Sequence, residues 1–160
     1  MSKIDLDATI DAVNRGELPD WIAEHLRAYQ ESGGKEGHMW DSTFAGGKGL
    51  LPCLLLNTVG RKSGKAFVHP LIYGVDGDNF VIVGSKGGAE THPGWYFNLL
   101  ANPQVTIQVG PETHKVTASL LEGEERERIW AQMVDLYPPY RDYQAKTERL
   151  IPLFLLERNA

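Results

Sequence analysis

Three short stretches concentrate the side chains best able to do chemistry. Gly60-Arg61-Lys62-Ser63-Gly64-Lys65 puts three cations and a hydroxyl into a turn bracketed by glycines. Arg61, Lys62 and Ser63 offer charge-assisted donors to a phosphate or carboxylate there. Ser85-Lys86-Gly87-Gly88 again sets lysine beside serine, and its missing Cβ atoms let a flat ring approach the backbone N–H groups of Ser85, Lys86 and Gly87. Tyr137-Pro-Pro-Tyr140-Arg-Asp-Tyr143 groups three phenols. They suit the wall of a substrate cleft, with a phenol as hydrogen-bond or proton donor, and equally suit aromatic core packing. An anion grip, a ring platform and a substrate wall together suit a protein that orients a redox cofactor and an acceptor for hydride transfer.

Other chemistries fit less well. None of the five histidines (25, 38, 69, 92 and 114) pairs with a glutamate or cysteine at metal-ligand spacing, so no metal site is expected. His69 and His92 each precede proline, which favours extended backbone and leaves ligand contact and core placement both open. A nucleotide-triphosphatase loop needs four residues between its glycine and Gly-Lys, then Ser or Thr. Here Gly60 and Gly64-Lys65 enclose three, and Ala66 follows. No G-x-S-x-G marks a hydrolase nucleophile. The single cysteine, Cys53, lies in an apolar run and reads as a small buried strand residue. Met39 and Trp40 sit in a glycine-rich stretch over 33–50, where Trp40 either caps the core or forms a lid over a ligand.

With 160 residues, 42% of them hydrophobic, the chain is long enough for one domain with a proper core. Its formal charge of −5 argues against bulk nucleic-acid binding, which needs a basic face. No segment resembles a signal peptide, and none approaches the ~20 apolar residues of a membrane span. The expected location is the cytoplasm, with contact at the inner face of the membrane left open.

The elements that must position these residues follow from periodicity. Residues 4–32 have helical spacing, with Trp21, Ile22, Leu26 and Tyr29 in a stripe that Gly33-Gly34 ends. Strand patterns cover 54–59, 67–75 and 80–83, the last two joined by Asp76-Gly77-Asp78. Pro93 opens a helix that Asn102-Pro103 closes. Strands over 105–109 and 114–118, an amphipathic helix over 122–136 and a last buried strand over 151–156 complete the order. That order predicts an α+β, mainly β chain: a small barrel or curled antiparallel sheet with flanking helices.

Several motifs taken together resemble the deazaflavin-dependent nitroreductase family, whose members use coenzyme F420. They are G-R-K-S-G-K, Pro70-Leu-Ile-Tyr73, S-K-G-G, the later Trp95-Tyr-Phe-Asn98-Leu, Ala101-Asn-Pro and Y-P-P-Y-R-D-Y, in order from about Gly37 to Glu157. The resemblance implies a split β-barrel similar to flavin-mononucleotide-binding barrels, spanning 37–160, with an N-terminal helical segment over 1–36 packed on it. It implies that Arg61, Lys62 and Ser63 hold the cofactor's phosphate and acidic tail and that Pro70 and Tyr73 line the cleft. Ser85, Lys86 and Gly87 would face the deazaflavin ring, with Trp95 and Asn98 bracing the site. Tyr137, Tyr140 and Tyr143 match the family's substrate-side tyrosines, Tyr140, Tyr143 and Ser85 being the candidate catalytic groups and Trp40 a further substrate-side contact. The implied reaction is hydride transfer from reduced F420 to a hydrophobic quinone, enone or nitro-compound. Flavin mononucleotide is the alternative cofactor and a non-catalytic carrier the alternative role. The resemblance admits both monomer and homodimer.

Overall fold

Strands that are apolar on both faces must be covered on both, and this decides the architecture. The computed structural model describes residues 20–159. Along the chain run helix α1 (Asp20–Glu31), strands β1 (Met39–Asp41), β2 (Leu50–Val59), β3 (Ala66–Asp76) and β4 (Asn79–Val83), and helix α2 (Gly94–Ala101). Strands β5 (Gln104–Val109) and β6 (Glu112–Leu120), helices α3 (Gly123–Leu136) and α4 (Pro139–Ala145), and strand β7 (Leu153–Arg158) follow. Six antiparallel strands close a barrel in the order β2-β3-β4-β7-β6-β5, and pairing of β5 with β2 seals it. β1 adds to the early part of β2 through Met39↔Pro52 and Asp41↔Leu50.

Alternation divides the core in two. Leu54, Leu56, Ile82, Phe154 and Leu156 point inward and meet Ile107 and Val116, with Trp95 and Leu99 of α2 packed among them. Val81, Val83, Leu153 and Leu155 point outward and are covered by Ile129 and Met133 of α3 and by Tyr137, Tyr140 and Tyr143. Each such large apolar side chain contributes roughly 1.5–3 kcal/mol when fully buried.

The barrel is split at one seam. β4 pairs with β3 only from Tyr73↔Ile82 to Asp76↔Asn79. From Ala66 to Ile72, β3 is paired with β2 alone, so its other edge has no strand partner among the described residues. Pro70, which brings no N–H, stands in that open stretch, where a proline is tolerated.

Tyr29 ties α1 to the barrel. Tyr29 is fully buried, and its hydroxyl accepts the Gly110 N–H at 2.7 Å. The same hydroxyl lies 3.0 Å from the Cys53 carbonyl and 3.1 Å from the Gln108 carbonyl, and its single proton serves one of them at a time. Just beyond α1 the chain turns through Gly34 at φ +86, where a Cβ would sit 1.7 Å from the Gly110 carbonyl oxygen. Only glycine fits.

The structure differs from the periodicity reading in several places. β1 forms inside the glycine-rich stretch over 33–50, and α4 forms in the Tyr-Pro-Pro-Tyr segment, and no element was expected at either. β2 starts at Leu50, ahead of the expected 54, and β7 runs on to Arg158. Of the helix expected over 4–32, Asp20–Glu31 is helical, and residues 4–19 lie outside the described residues. Among the described residues, no helix is long and apolar enough to cross a membrane.

Candidate cofactor and acceptor site

The cationic turn joins β2 to β3 and is docked on α2. Asn98 Oδ1 accepts the backbone N–H of Arg61 at 3.2 Å, while its Nδ2 donates to Thr58 Oγ1 at 3.2 Å. Thr58 Oγ1 in turn lies 3.3 Å from Nε2 of His69. Burial pushes the His69 ring down to about 4, so it is neutral near pH 7. The Arg61 guanidinium sits 4.8 Å over the Phe97 ring. Ser63 Oγ accepts the Lys65 N–H at 3.2 Å, shaping the turn. Arg61, Lys62, Ser63 and Lys65 are all exposed, and neither lysine is ion-paired among the described residues. Their charge is therefore free for a ligand.

The second loop is strained and tightly held. Lys86, Gly87 and Gly88 have φ of +46, +61 and +82, and Lys86 is the only non-glycine with positive φ among the described residues. Such a conformation persists only where its surroundings impose it. Two neighbours do. Gly88 lies against α4 so closely that a Cβ would stand 2.8 Å from the Tyr143 carbonyl oxygen. Arg149, from the turn between α4 and β7, donates to the carbonyls of Ser85 and Ala89, each at 2.7 Å, and of Gly84 at 3.1 Å. Arg149 carried no signal in the sequence, because a lone arginine in Thr-Glu-Arg-Leu matches no motif. Gln144 of α4 shapes its turn, accepting the Ile151 N–H at 2.9 Å and donating to the Arg149 carbonyl at 2.7 Å.

The three tyrosines form one cluster. The hydroxyls of Tyr137 and Tyr143 are 3.0 Å apart, and the Tyr137 and Tyr140 rings meet edge to face at 4.9 Å. Tyr140 is 4% exposed, yet its hydroxyl has no hydrogen-bond partner among the described residues. Burial raises the pKa of all three phenols, so each stays protonated at neutral pH. Trp40 packs against the core cluster to which these tyrosines belong.

The remaining candidates spread across the seam. Ser85 precedes the strained turn, and its hydroxyl makes no hydrogen bond among the described residues. Pro70 lies on the open part of β3. Tyr73 and Trp95 are different: both lie in the barrel's inner core, Tyr73 with its hydroxyl 2.8 Å from His38 Nε2 and Trp95 with its ring 5.9 Å from Phe154. Both are buried, with 6% of their surface exposed. Cys53 is 3% exposed, and burial pushes its thiol up to about 12, as suits an inert core residue. Among the described residues, no three metal-ligating side chains gather.

These parts connect. The open β3 edge begins at the cationic turn, and β4 runs out of its β3 pairing just before the Ser85–Gly88 loop. That loop rests on α4, which carries two of the tyrosines. Exposed cations without counter-ions among the described residues fit an acidic tail, backbone without a Cβ at Gly87 fits the approach of a flat ring, and the unpartnered Tyr140 hydroxyl fits an acceptor oxygen. The chemistry of these groups fits a deazaflavin cofactor.

The sequence profile of the F420H(2)-dependent quinone reductase family matches residues 21–158. The chain belongs to that family. It is 39% identical over 155 residues to an F420H(2)-dependent quinone reductase of Mycobacterium tuberculosis, covering 89% of this chain and 99% of that one. Among solved structures, an F420-H2 dependent reductase superposes with a TM-score of 0.62 at 48% identity, covering 66% of this chain and 94% of that one. A second, described as a domain-swapped dimer, superposes at 0.65 with 43% identity over 86% of this chain and 98% of that one. As a member of the F420H(2)-dependent quinone reductase family, the chain is an oxidoreductase whose cofactor is reduced F420, which decides between F420 and flavin mononucleotide. The expected split barrel is the fold observed.

Proposed function

We propose that this quinone reductase binds F420 along the split seam and reduces a hydrophobic quinone held against the tyrosine cluster. Arg61, Lys62 and Ser63 hold the anionic tail by charge-assisted hydrogen bonds, and Lys65 adds to the local positive field. Ser85, Lys86 and Gly87 present backbone and hydroxyl donors to the ring, on a turn whose strain is absorbed by α4 and Arg149. When bound, the reduced cofactor supplies a hydride.

The chain's own task is then to stabilise negative charge on the acceptor oxygen. Tyr140 donates its free hydroxyl to that oxygen, and the linked pair Tyr137 and Tyr143 keeps the surrounding wall fixed. Because burial raises their pKa, these phenols act as donors and not as bases, and the apolar wall strengthens the hydrogen bond by excluding water. Ser85 offers a second donor at the ring-side edge. Enones and nitro-compounds present the same developing oxyanion and fall within the same chemistry.

The observation that carries this reading is the Tyr140 hydroxyl, which has no hydrogen-bond partner among the described residues and sits on the helix that also supports the Lys86–Gly88 turn. The test is anaerobic incubation of reduced F420 with menadione and purified protein, following the return of oxidised-cofactor absorbance. A protein-dependent rate that saturates with menadione is expected. Absence of any such rate across quinones, cyclohexenone and nitroaromatics would overturn the proposal.

A further inference from the structure

The Arg149 guanidinium uses four of its five N–H groups within one loop. Nε donates to Ala89, one terminal nitrogen to Ser85, and the other to both Gly84 and Nδ1 of His92, the last at 3.0 Å. Among the described residues it has no carboxylate partner. Its carbonyl acceptors lie on both sides of the left-handed turn at Lys86–Gly88. A planar fork that spans both ends of a strained turn fixes the turn's shape, which one flexible ammonium cannot do.

The fourth contact has a separate consequence. An arginine only donates, so Nδ1 of His92 must accept, and the imidazole proton must sit on Nε2. The His92 ring stacks on Tyr96 with centroids 4.0 Å apart, which holds its plane. Burial first, and the Arg149 cation second, hold this histidine below its ordinary range, so it is uncharged at neutral pH.

We propose that Arg149 is the positioning residue of the cofactor loop, holding Ser85–Gly88 in its left-handed shape and fixing His92 as the Nε2–H tautomer. This rests on the reading above that the loop meets F420.

Two measurements test it. On the wild-type protein, nitrogen-15 NMR of labelled histidine should show His92 with Nδ1 bare and Nε2 protonated. A protonated Nδ1 would overturn the assignment without any variant being made. Fluorescence titration with oxidised F420 then compares the wild type with Arg149→Ala and Arg149→Lys, each first shown to be folded by circular dichroism. Both variants should bind about tenfold or more weakly, since lysine restores charge but not the fork. Added ethylguanidinium should recover part of the affinity of Arg149→Ala, and Arg149→Lys is the variant read if Arg149→Ala does not fold. Wild-type affinity in either folded variant overturns the proposal. Failure of the wild type itself to bind F420 would instead sink the functional reading.

Discussion

The hydroxyls of Tyr137 and Tyr143 lie 3.0 Å apart and hydrogen-bond to each other, while the hydroxyl of Tyr140 between them in sequence bonds to no described residue. Three phenols at three-residue spacing thus divide into a structural pair and a free donor.

Replacing one of each kind separates the roles. Tyr143→Phe leaves the buried Tyr137 hydroxyl unpaired and should cost about 1–3 kcal/mol in urea unfolding. Tyr140→Phe removes a hydroxyl that has no partner, so stability should stay level or rise by up to ~1 kcal/mol. Quinone reduction by Tyr140→Phe should nonetheless slow about tenfold or more, with F420 affinity unchanged. If Tyr140→Phe unfolds as easily as Tyr143→Phe and still reduces quinones at the wild-type rate, Tyr140 is a packing residue.

Gly88 should tolerate no side chain. Its φ of +82 disfavours one, and an added Cβ would stand 2.8 Å from the Tyr143 carbonyl oxygen and 3.0 Å from Tyr143 Cα, both backbone atoms. Gly88→Ala should therefore destabilise by about 2 kcal/mol or more. The control is Gly77→Ala in the β3–β4 turn, where φ is +62 but nothing lies within 4 Å. It should cost only ~1 kcal/mol from backbone strain. Equal melting temperatures for the two variants would show that α4 yields to the added methyl group.

His69 gives stability a dependence on acid. Burial lowers its folded pKa to about 4 from an ordinary 6.5, so between those values the unfolded chain binds more protons than the folded one. Stability is then fully present above pH 6.5 and falls as pH drops towards 4, by about 2–3 kcal/mol from this group. His92 is shifted in the same direction and adds to the same limb. Urea titrations of the wild type and of His69→Gln from pH 7 to 4 should show a shallower acid slope in the variant. Identical slopes would mean that His69 titrates normally.

Local patterns made much of this molecule legible. Asp76-Gly77-Asp78 marked the β3–β4 turn, and the continuous apolar runs at β4 and β7 marked strands covered on both sides. The basic turn and the Lys86 loop were marked by glycines beside cations, a local signal. What escaped depends on distant partners. β1 is three residues long and forms only because β2 extends past the barrel and offers it an edge. α4 begins at Pro139, where a proline at the first helical position needs no N–H, so a helix starts at a pair of prolines to which no element was assigned. Arg149 gains its meaning from carbonyls some sixty residues earlier in the chain, which no spacing rule can see. Tyr73 and Trp95 carried motif matches, but whether a matched residue faces a cleft or a core depends on which face of its element is turned inward.

Among the described residues no second strand pairs with Ala66–Ile72, which bears on the proposed binding along that edge. A molecule sliding in or out beside β3 there breaks no rung of the sheet, so loading and exchange need no unzipping of the barrel wall. Access is thus paid for once, when the chain folds, and not again in each catalytic cycle.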